Sequence, residues 1–415
     1  MEYLAIVLLV AIVFAAAVWA APADVRDLAK AVPREVIRAL CIVTGGDCDQ
    51  DLKPCTVSLR SERAGGTVKL LIFRLGEHHQ LLEEHRSDGT VSLTLLREND
   101  AGLEGGAGAK AELRLGTREL AVGGSVRAGA LARFGSGRTW TVTEGPEANR
   151  LRTRLRAAFA VAPVPGDIDE SVWGALPPPT ETFGSKGLEV TVGGSVSRGA
   201  LSASLGLGAE DVAGTRKDLR TGETTHLLKR SNDLFGSVGA GELTAEGRGA
   251  HGTEYAVTVD RDGRPIDLEV TETGSLGASV DLPPRMQAAV GYLDKPTHGK
   301  RTWVSETHLD LSDPDSLAVA RRVIDALRNP GLRLVDAVDV SSALERRLAE
   351  RGVIHARTYS ADGSEYGVAL EGGAGAKLGV DVGVRTESTR LITAATRGID
   401  GEWREREDCL DGAKA

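Results

Sequence analysis

The chain has 415 residues, enough for two or three domains or one large β domain, and enough to bury a core without help from disulfides. Aromatic residues are only 4%, whereas glycine reaches 51 of 415, well above the usual share of about 7%. The net charge of −9 is spread without long single-sign runs, and the absence of a basic stripe argues against a nucleic-acid partner.

Residues 4–21, LAIVLLVAIVFAAAVWAA, carry no charge, and no proline occurs until Pro22. Such a helix spans about 27 Å, close to the hydrocarbon thickness of a bilayer, and Trp19 stands near one end where an interfacial indole belongs. The run predicts a transmembrane anchor over residues 1–21. A cleaved signal peptide, cut after Val18-Trp19-Ala20, is the competing reading; the apolar run is longer than a signal requires and nothing basic precedes it. Arg26, Lys30, Arg34 and Arg38 follow the helix and, by the positive-inside rule alone, would hold the large domain in the cytoplasm. The cysteines point instead to an oxidising side, and the rule weakens for large domains. The expected location is therefore the cell membrane, single-pass, with the large domain extracytoplasmic.

Met1-Glu2-Tyr3 ahead of this unbroken apolar run resembles the mature N-terminus of Tad/Flp-type (type IVb) pilins and their pseudopilin relatives. In that family an acidic residue and a tyrosine open the transmembrane helix after a short leader, and Glu2 and Tyr3 match those positions. The resemblance implies self-assembly, because a carboxylate at the head of an apolar helix is costly in lipid unless a neighbouring subunit's amino terminus pairs with it. It covers residues 1–40 and departs in two ways: no leader is visible, and the remainder is far larger than a major pilin.

Residues 22–55 read as an amphipathic helix and a cysteine-rich linker, with Val25, Leu28, Val32, Val36 and Leu40 at helical spacing and Pro33 as a kink. The four cysteines are Cys41, Cys48, Cys55 and Cys409. The absence of a CxxC pair argues against zinc or thioredoxin-type redox chemistry, and an even count beyond an export segment reads as two disulfides with three connectivities open. The turn Gly45-Gly46-Asp47 can bring Cys41 to Cys48, which would leave Cys55 to tie the chain's end to Cys409.

Period-two alternation marks residues 56–145 as a β region: Ala109, Ala111, Leu113 and Leu115 alternate with Lys110, Glu112 and Arg114. Asp88-Gly89 reads as a hairpin turn. Residues 146–186 form a linker with a short basic helix near 149–162 and a proline cluster, Pro163, Pro165 and Pro177-Pro178-Pro179, around Trp173. Strands resume over 187–311, where Leu188, Val190 and Val192, then Tyr255, Val257 and Val259, then Trp303, Ser305, Thr307 and Leu309 share faces, with Asp262-Gly263 as a turn. Two helices are expected over 312–352, one opened by Ser312-Asp313-Pro314 and one by the capping box Ser342/Glu345. Residues 353–409 return to strands around a turn at Asp362-Gly363 and close the β domain.

The segment EGGAGAK occurs at residues 104–110 and again at 371–377, and VGGSV at 122–126 and 192–196. Glycines inside strands mark bulges or sharp bends. The fold expected is mainly β: an N-terminal transmembrane helix followed by curved antiparallel sheets, barrel- or sandwich-like, with a few short helices. An outer-membrane barrel needs an apolar band and aromatic girdles, and the low aromatic content, alanine-rich faces and N-terminal helix argue against one.

No catalytic residue, cofactor or metal site is expected, and the chain is read as no enzyme. Glu77, His78, His79, Glu83, Glu84 and His85 gather possible metal ligands without an HExxH pattern, and as a strand they would put His79, Glu83 and His85 on one face. EGGAGAK is not a phosphate loop, because Ala109 precedes Lys110 and Ala111 follows it. The function expected is that of a membrane-anchored surface protein of structural type, pilin-like or pilus-associated. The alternative is an anchored binding module whose curved sheet holds a lipid or peptide. Partners expected are the membrane through the N-terminal helix, and protein partners or self-assembly.

Overall fold

The computed structural model of the chain describes residues 53–71, 73–116, 118–161, 176–198, 201–240, 243–276, 301–328, 334–375 and 377–412. The anchor run with Glu2 and Tyr3, the amphipathic segment, Cys41, Cys48, Pro163, Pro165 and Trp173 lie outside the described residues.

Strands β1 (Thr56–Leu71) to β12 (Lys377–Arg397) follow one another as antiparallel neighbours, with β2 at Phe73–Arg86, β3 at Thr90–Gly116, β4 at Arg118–Thr143, β5 at Glu181–Arg198 and β6 at Leu201–Asp218. They continue with β7 at Thr224–Ala240, β8 at Leu243–Val259, β9 at Pro265–Leu276, β10 at Arg301–Leu309 and β11 at Gly352–Gly375. β1 then pairs back onto β12, from Ser58↔Arg390 to Leu71↔Lys377. That last ladder overturns the expected helix-plus-sheets arrangement: the strands form one closed antiparallel barrel of twelve, with the short β13 (Trp403–Glu405) beside β12. Closure satisfies the two edges that an open sheet would leave bare. Alternation cannot reveal it, since an open and a closed sheet carry the same period-two pattern. Among the described residues no helix is long and apolar enough to cross a membrane.

The two ends of the barrel differ. At one, here the base, sit helices α1 (Pro146–Val161), α2 (Pro314–Arg328), α3 (Leu334–Arg351) and α4 (Glu407–Gly412). At the other, the tip, strands follow within one or two residues at Gly116/Arg118, Arg198/Leu201 and Ala240/Leu243, whereas residues 277–300 separate β9 from β10. Glycine supplies the left-handed backbone of the base turns, with φ 78° at Gly89 and 81° at Gly263. Asp88-Gly89 and Asp262-Gly263 therefore turn as expected. Asp362-Gly363 does not: β11 runs straight through it, with Asp362↔Ser388 and Gly363↔Glu387 in unbroken register. α2 begins at Pro314 as expected, its N-terminus capped by Asp313, which accepts from the Ser316 amide at 2.9 Å. α3 begins at Leu334, so the expected capping box at Ser342 lies inside the helix rather than opening it.

The helices supply the apolar cover at the base. Leu151, Leu155, Ala158 and Phe159 of α1 pack with Leu81, Leu93, Leu95 and Trp140 from β2 to β4. Trp140 also donates its indole N–H to the Pro177 carbonyl at 2.8 Å, which fixes the proline run against β4. Val319, Val323 and Ile324 of α2 and Leu344 and Leu348 of α3 cover Val257, Leu268, Val270 and Leu309. Each of these larger side chains contributes about 1.5–3 kcal/mol by leaving water. Cys55 and Cys409 are bonded to each other, with Cα atoms 5.5 Å apart, in a third buried cluster with Val57, Tyr359, Leu391 and Ala394.

Toward the tip the repeated segments find each other. Past the end of β2, β3 takes β11 as its partner, and the two EGGAGAK copies pair antiparallel: Lys110↔Glu371, Gly108↔Gly373, Gly106↔Gly375. The two VGGSV copies do the same between β4 and β5, through Ser125↔Ser195 and Val126↔Gly194. These ladders run without a register shift; among the described strands the shifts fall at Thr56/Ser58, Thr258/Val259 and Thr358/Tyr359. The repeats are therefore matched stretches of wall, and not the bulges expected of them.

Candidate functional site

The register divides the wall into two faces, and glycine identifies which is concave. A Cβ at Gly65, Gly76, Gly102, Gly135, Gly137, Gly187 or Gly214 would collide with a neighbouring strand or side chain, whereas one at Gly184 would meet nothing within 4 Å. The seven crowded glycines share one face and Gly184 lies on the other. Cross-strand neighbours converge on the inside of a curved sheet and diverge on the outside, so the crowded face is the inner one.

That inner face carries a connected set of charges. Arg133 on β4 pairs with Glu189 on β5 and with Glu210 on β6, the latter at 2.7 Å, and Glu210 accepts from the Ser231 hydroxyl of β7 at 3.3 Å. Arg63 on β1 meets Glu98 on β3 at 2.9 Å, and His78 on β2 meets Asp100 at 3.2 Å, with Asp100 only 6% exposed. Nearer the base Arg357 of β11 donates to Glu306 of β10 at 2.8 Å. Burial opposes the Arg357 charge, but Glu306 outweighs it and holds the guanidinium's pKa above its ordinary value. Hydroxyl pairs, Thr94 with Thr139 at 2.9 Å and Thr225 with Thr258 at 2.9 Å, fill gaps between the charges.

Glu254 of β8, on the same face, has its carboxyl pKa raised by burial; Lys229 opposes the shift, and Glu269 and Glu306 add to it. A carboxyl whose folded pKa is raised favours folding less once it ionises. Stability from this group is therefore gained as pH falls from the raised folded value toward the ordinary carboxylate value, and lost above. Glu254→Gln is expected to raise the melting temperature at pH 8 and to leave it nearly unchanged at pH 4; an equal effect at both would remove Glu254 as the cause.

The outer face changes character along the strands. At the base it is covered by α1, α2 and α3. Toward the tip it bares Leu188 at 53%, Leu207 at 58% and Phe134 at 54% exposure, together with Leu75, Leu103, Val190, Val382 and Val384. On β5 the described outer positions beyond Lys186 are Leu188 and Val190, registered against Asp211 and Ala209 of β6, with Leu207 next along β6. Glu189 and Glu210 take inner positions, while Asp211, level with Leu188 and paired with Arg230 of β7 at 3.3 Å, keeps charge on the outer face toward the base.

The clustered histidines of β2 do not form one site. His78 faces inward to Asp100. His79 faces outward and is buried, with Nε2 3.3 Å from Glu77, which also pairs with Arg97 at 3.0 Å. His85 stands 3.1 Å from Glu83, which is held by Arg152 of α1 at 2.5 Å. His79, Glu83 and His85 thus share a face as expected, but His79 pairs with Glu77 while His85 and Glu83 pair with each other. The pairing of Cys55 with Cys409 joins two of the four cysteines singled out in the sequence. The inner-face charges were not singled out: each is an ordinary polar position of an alternating strand, and only the register gathers them.

No family model matches the chain, and no curated protein does. Among solved structures, it is similar to the translocator domain of the autotransporter NalP from Neisseria meningitidis, at 7% identity over 87% of this chain and 98% of that one, with a TM-score of 0.14. A TodX monoaromatic hydrocarbon channel deltaS2 mutant matches at 7% identity over 81% and 91%, with a TM-score of 0.15. The P. putida toluene transporter TodX matches at 8% over 80% and 89%, with a TM-score of 0.12. Likeness at TM-scores this low carries no functional argument.

Proposed function

We propose that this barrel is inserted in a membrane, with acyl chains around the tip half of its outer face, a polar interior, and the helical base in water. The observation that carries the reading is the reversal between faces: charge inside, and outside a bare apolar band on the tip side of the Asp211–Arg230 pair. A soluble protein rarely leaves such a band uncovered. The length is right as well. Residues 187–197, between Lys186 and Arg198, are eleven, and a tilted transmembrane strand needs about 9–11. Phe134 stands exposed beside Lys186, near the base-side edge of the band, where an interfacial aromatic belongs.

In this reading the membrane partner is met by the barrel wall, and the polar interior would serve as a conduit or a closed core. No reaction is assigned. A lipid held inside, the binding-module alternative, would find charges and hydroxyls where it needs apolar lining. The pilin-like opening stands as a separate proposal for the N-terminus: Glu2 would pair with a neighbouring subunit, and Glu2→Leu would abolish crosslinking between copies.

The test uses parity. A fluorophore is attached at Val190→Cys, Leu207→Cys, Thr191→Cys or Gly208→Cys, and the protein is reconstituted into vesicles with brominated acyl chains. Quenching is expected at 190 and 207, severalfold weaker at 191 and 208. Equal quenching at all four positions, or none, overturns the proposal.

A further inference from the structure

On the inner wall of the base three potential metal ligands converge. Asp267 and Glu269 are two residues apart on β9 and so share a face. His308 of β10 is registered directly opposite Glu269. Its Nδ1 lies 3.5 Å from an Asp267 oxygen and its Nε2 lies 3.6 Å from a Glu269 oxygen. One ligand atom from each of the three falls within 4.8 Å of the others. We infer that Asp267, Glu269 and His308 form a binding site for a divalent transition-metal ion, with zinc as the best-matched probe.

Three features favour this over an ordinary ion pair. The first is spacing: at 3.5 and 3.6 Å the contacts exceed a good hydrogen bond. Two ligands each about 2.1 Å from a tetrahedral ion stand about 3.4 Å apart; an ion takes one imidazole nitrogen, and one ligand atom from each of the three residues lies within 4.8 Å of the others, so small side-chain movements complete the set. The second is ligand type. An imidazole with two carboxylates suits zinc or manganese, and the imidazole disfavours calcium and magnesium. The third is the surrounding field. Glu254 and Glu306 add carboxylates on the same inner face; Arg357 is engaged with Glu306, and Lys229 and Arg216 act on Glu254. A cation among Asp267, Glu269 and His308 would relieve the crowding of like charge. His355 of β11 stands beside the group, its ring centroid 5.5 Å from that of His308, and its Nδ1 lies 3.0 Å from the Thr396 hydroxyl.

The experiment titrates the full chain with zinc by calorimetry, and with cobalt by visible absorption, whose intensity reports a low-coordinate site. One equivalent of zinc per chain is expected, with cobalt competing and calcium and magnesium failing to compete. His308→Ala, and separately the double variant Asp267→Asn with Glu269→Gln, should each weaken zinc binding at least tenfold. His78→Ala, whose ring pairs with Asp100 on the same face, should leave it unchanged. The isosteric double variant keeps the test alive if His308→Ala does not fold. Absence of saturable binding, equal binding by calcium, or zinc affinity untouched by both sets of substitutions overturns the site. The outcome is independent of whether the barrel enters a membrane.

Discussion

Replacing Cys55 and Cys409 together with serine is expected to cost the barrel about 5–6 kcal/mol, the largest effect of any substitution at one contact. The bond joins residues 354 apart in sequence. In the chain-entropy view a cross-link removes disorder from the unfolded chain in proportion to the logarithm of the loop it closes, which gives about 5–6 kcal/mol for a loop of this size. Its position adds a local part. Cys55 immediately precedes β1, and Cys409 lies in α4, against β12 and β1, so the bond sits at the seam where first and last strands meet. Both sulfurs are buried with Val57, Tyr359 and Leu391, and the Tyr359 hydroxyl donates to the Thr56 carbonyl at 3.0 Å across the same seam. Serine hydroxyls would find this apolar setting unfavourable. Denaturant unfolding of the double variant should show a much lower midpoint. A midpoint unchanged from the parent would mean that the β1–β12 ladder alone holds the ends, and that the bond restricts an unfolded state which is already compact.

How much of this was legible in the residues differs by level. Strand identity was, because period two survives in Leu188-Val190-Val192 and in Trp303-Ser305-Thr307-Leu309. The Cys55–Cys409 pairing was one of three connectivities that the residues left open, and the fold selects it by bringing the two chain segments together at the seam. Closure was not legible. It depends on β1 meeting β12 across more than 300 residues, and no local signal distinguishes that from an open edge. Asp-Gly was a fair turn signal at 88–89 and 262–263, where the chain must reverse at the base. It failed at 362–363, where continuous pairing with β12 and the length of the wall outweigh a local preference. Low aromatic content was a poor guide to the outer face. The apolar band there is built from Val, Leu, Ala and Gly, which are apolar enough without aromatic girdles, and small side chains let a narrow wall curve. The inner charges were invisible as a set, because Arg63, Asp100, Arg133, Glu189 and Glu210 are scattered along the sequence and meet only through register.

Gly102→Val is the second substitution expected to act strongly, by about 3 kcal/mol, and it tests the curvature itself. Gly102 lies on the inner face of β3, registered against Leu131 of β4. A Cβ there would overlap the Ala130 carbonyl oxygen and crowd Leu131, which is itself buried. Because the nearest atom belongs to the backbone, no rotamer change relieves the clash; β4 would have to move away and the wall would have to flatten. Overpacking of a filled site costs about 1–3 kcal/mol even where side chains can adjust, and here they cannot. Gly76 is the graded comparison. The atoms its Cβ would meet belong to the Asp100 carboxylate, the mobile end of a side chain, so valine there should cost less. Gly184 is the control on the outer face, where the added atoms meet nothing within 4 Å. Valine at Gly184 should be neutral or mildly stabilising, since a β-branched residue suits a strand better than glycine. Melting temperatures of the three variants, measured in one detergent or lipid condition, should therefore fall in the order Gly184→Val, Gly76→Val, Gly102→Val. If Gly102→Val and Gly184→Val melt together, the inner face is not the concave one, and the assignment of charge to the inside and of the apolar band to the outside loses its geometric basis.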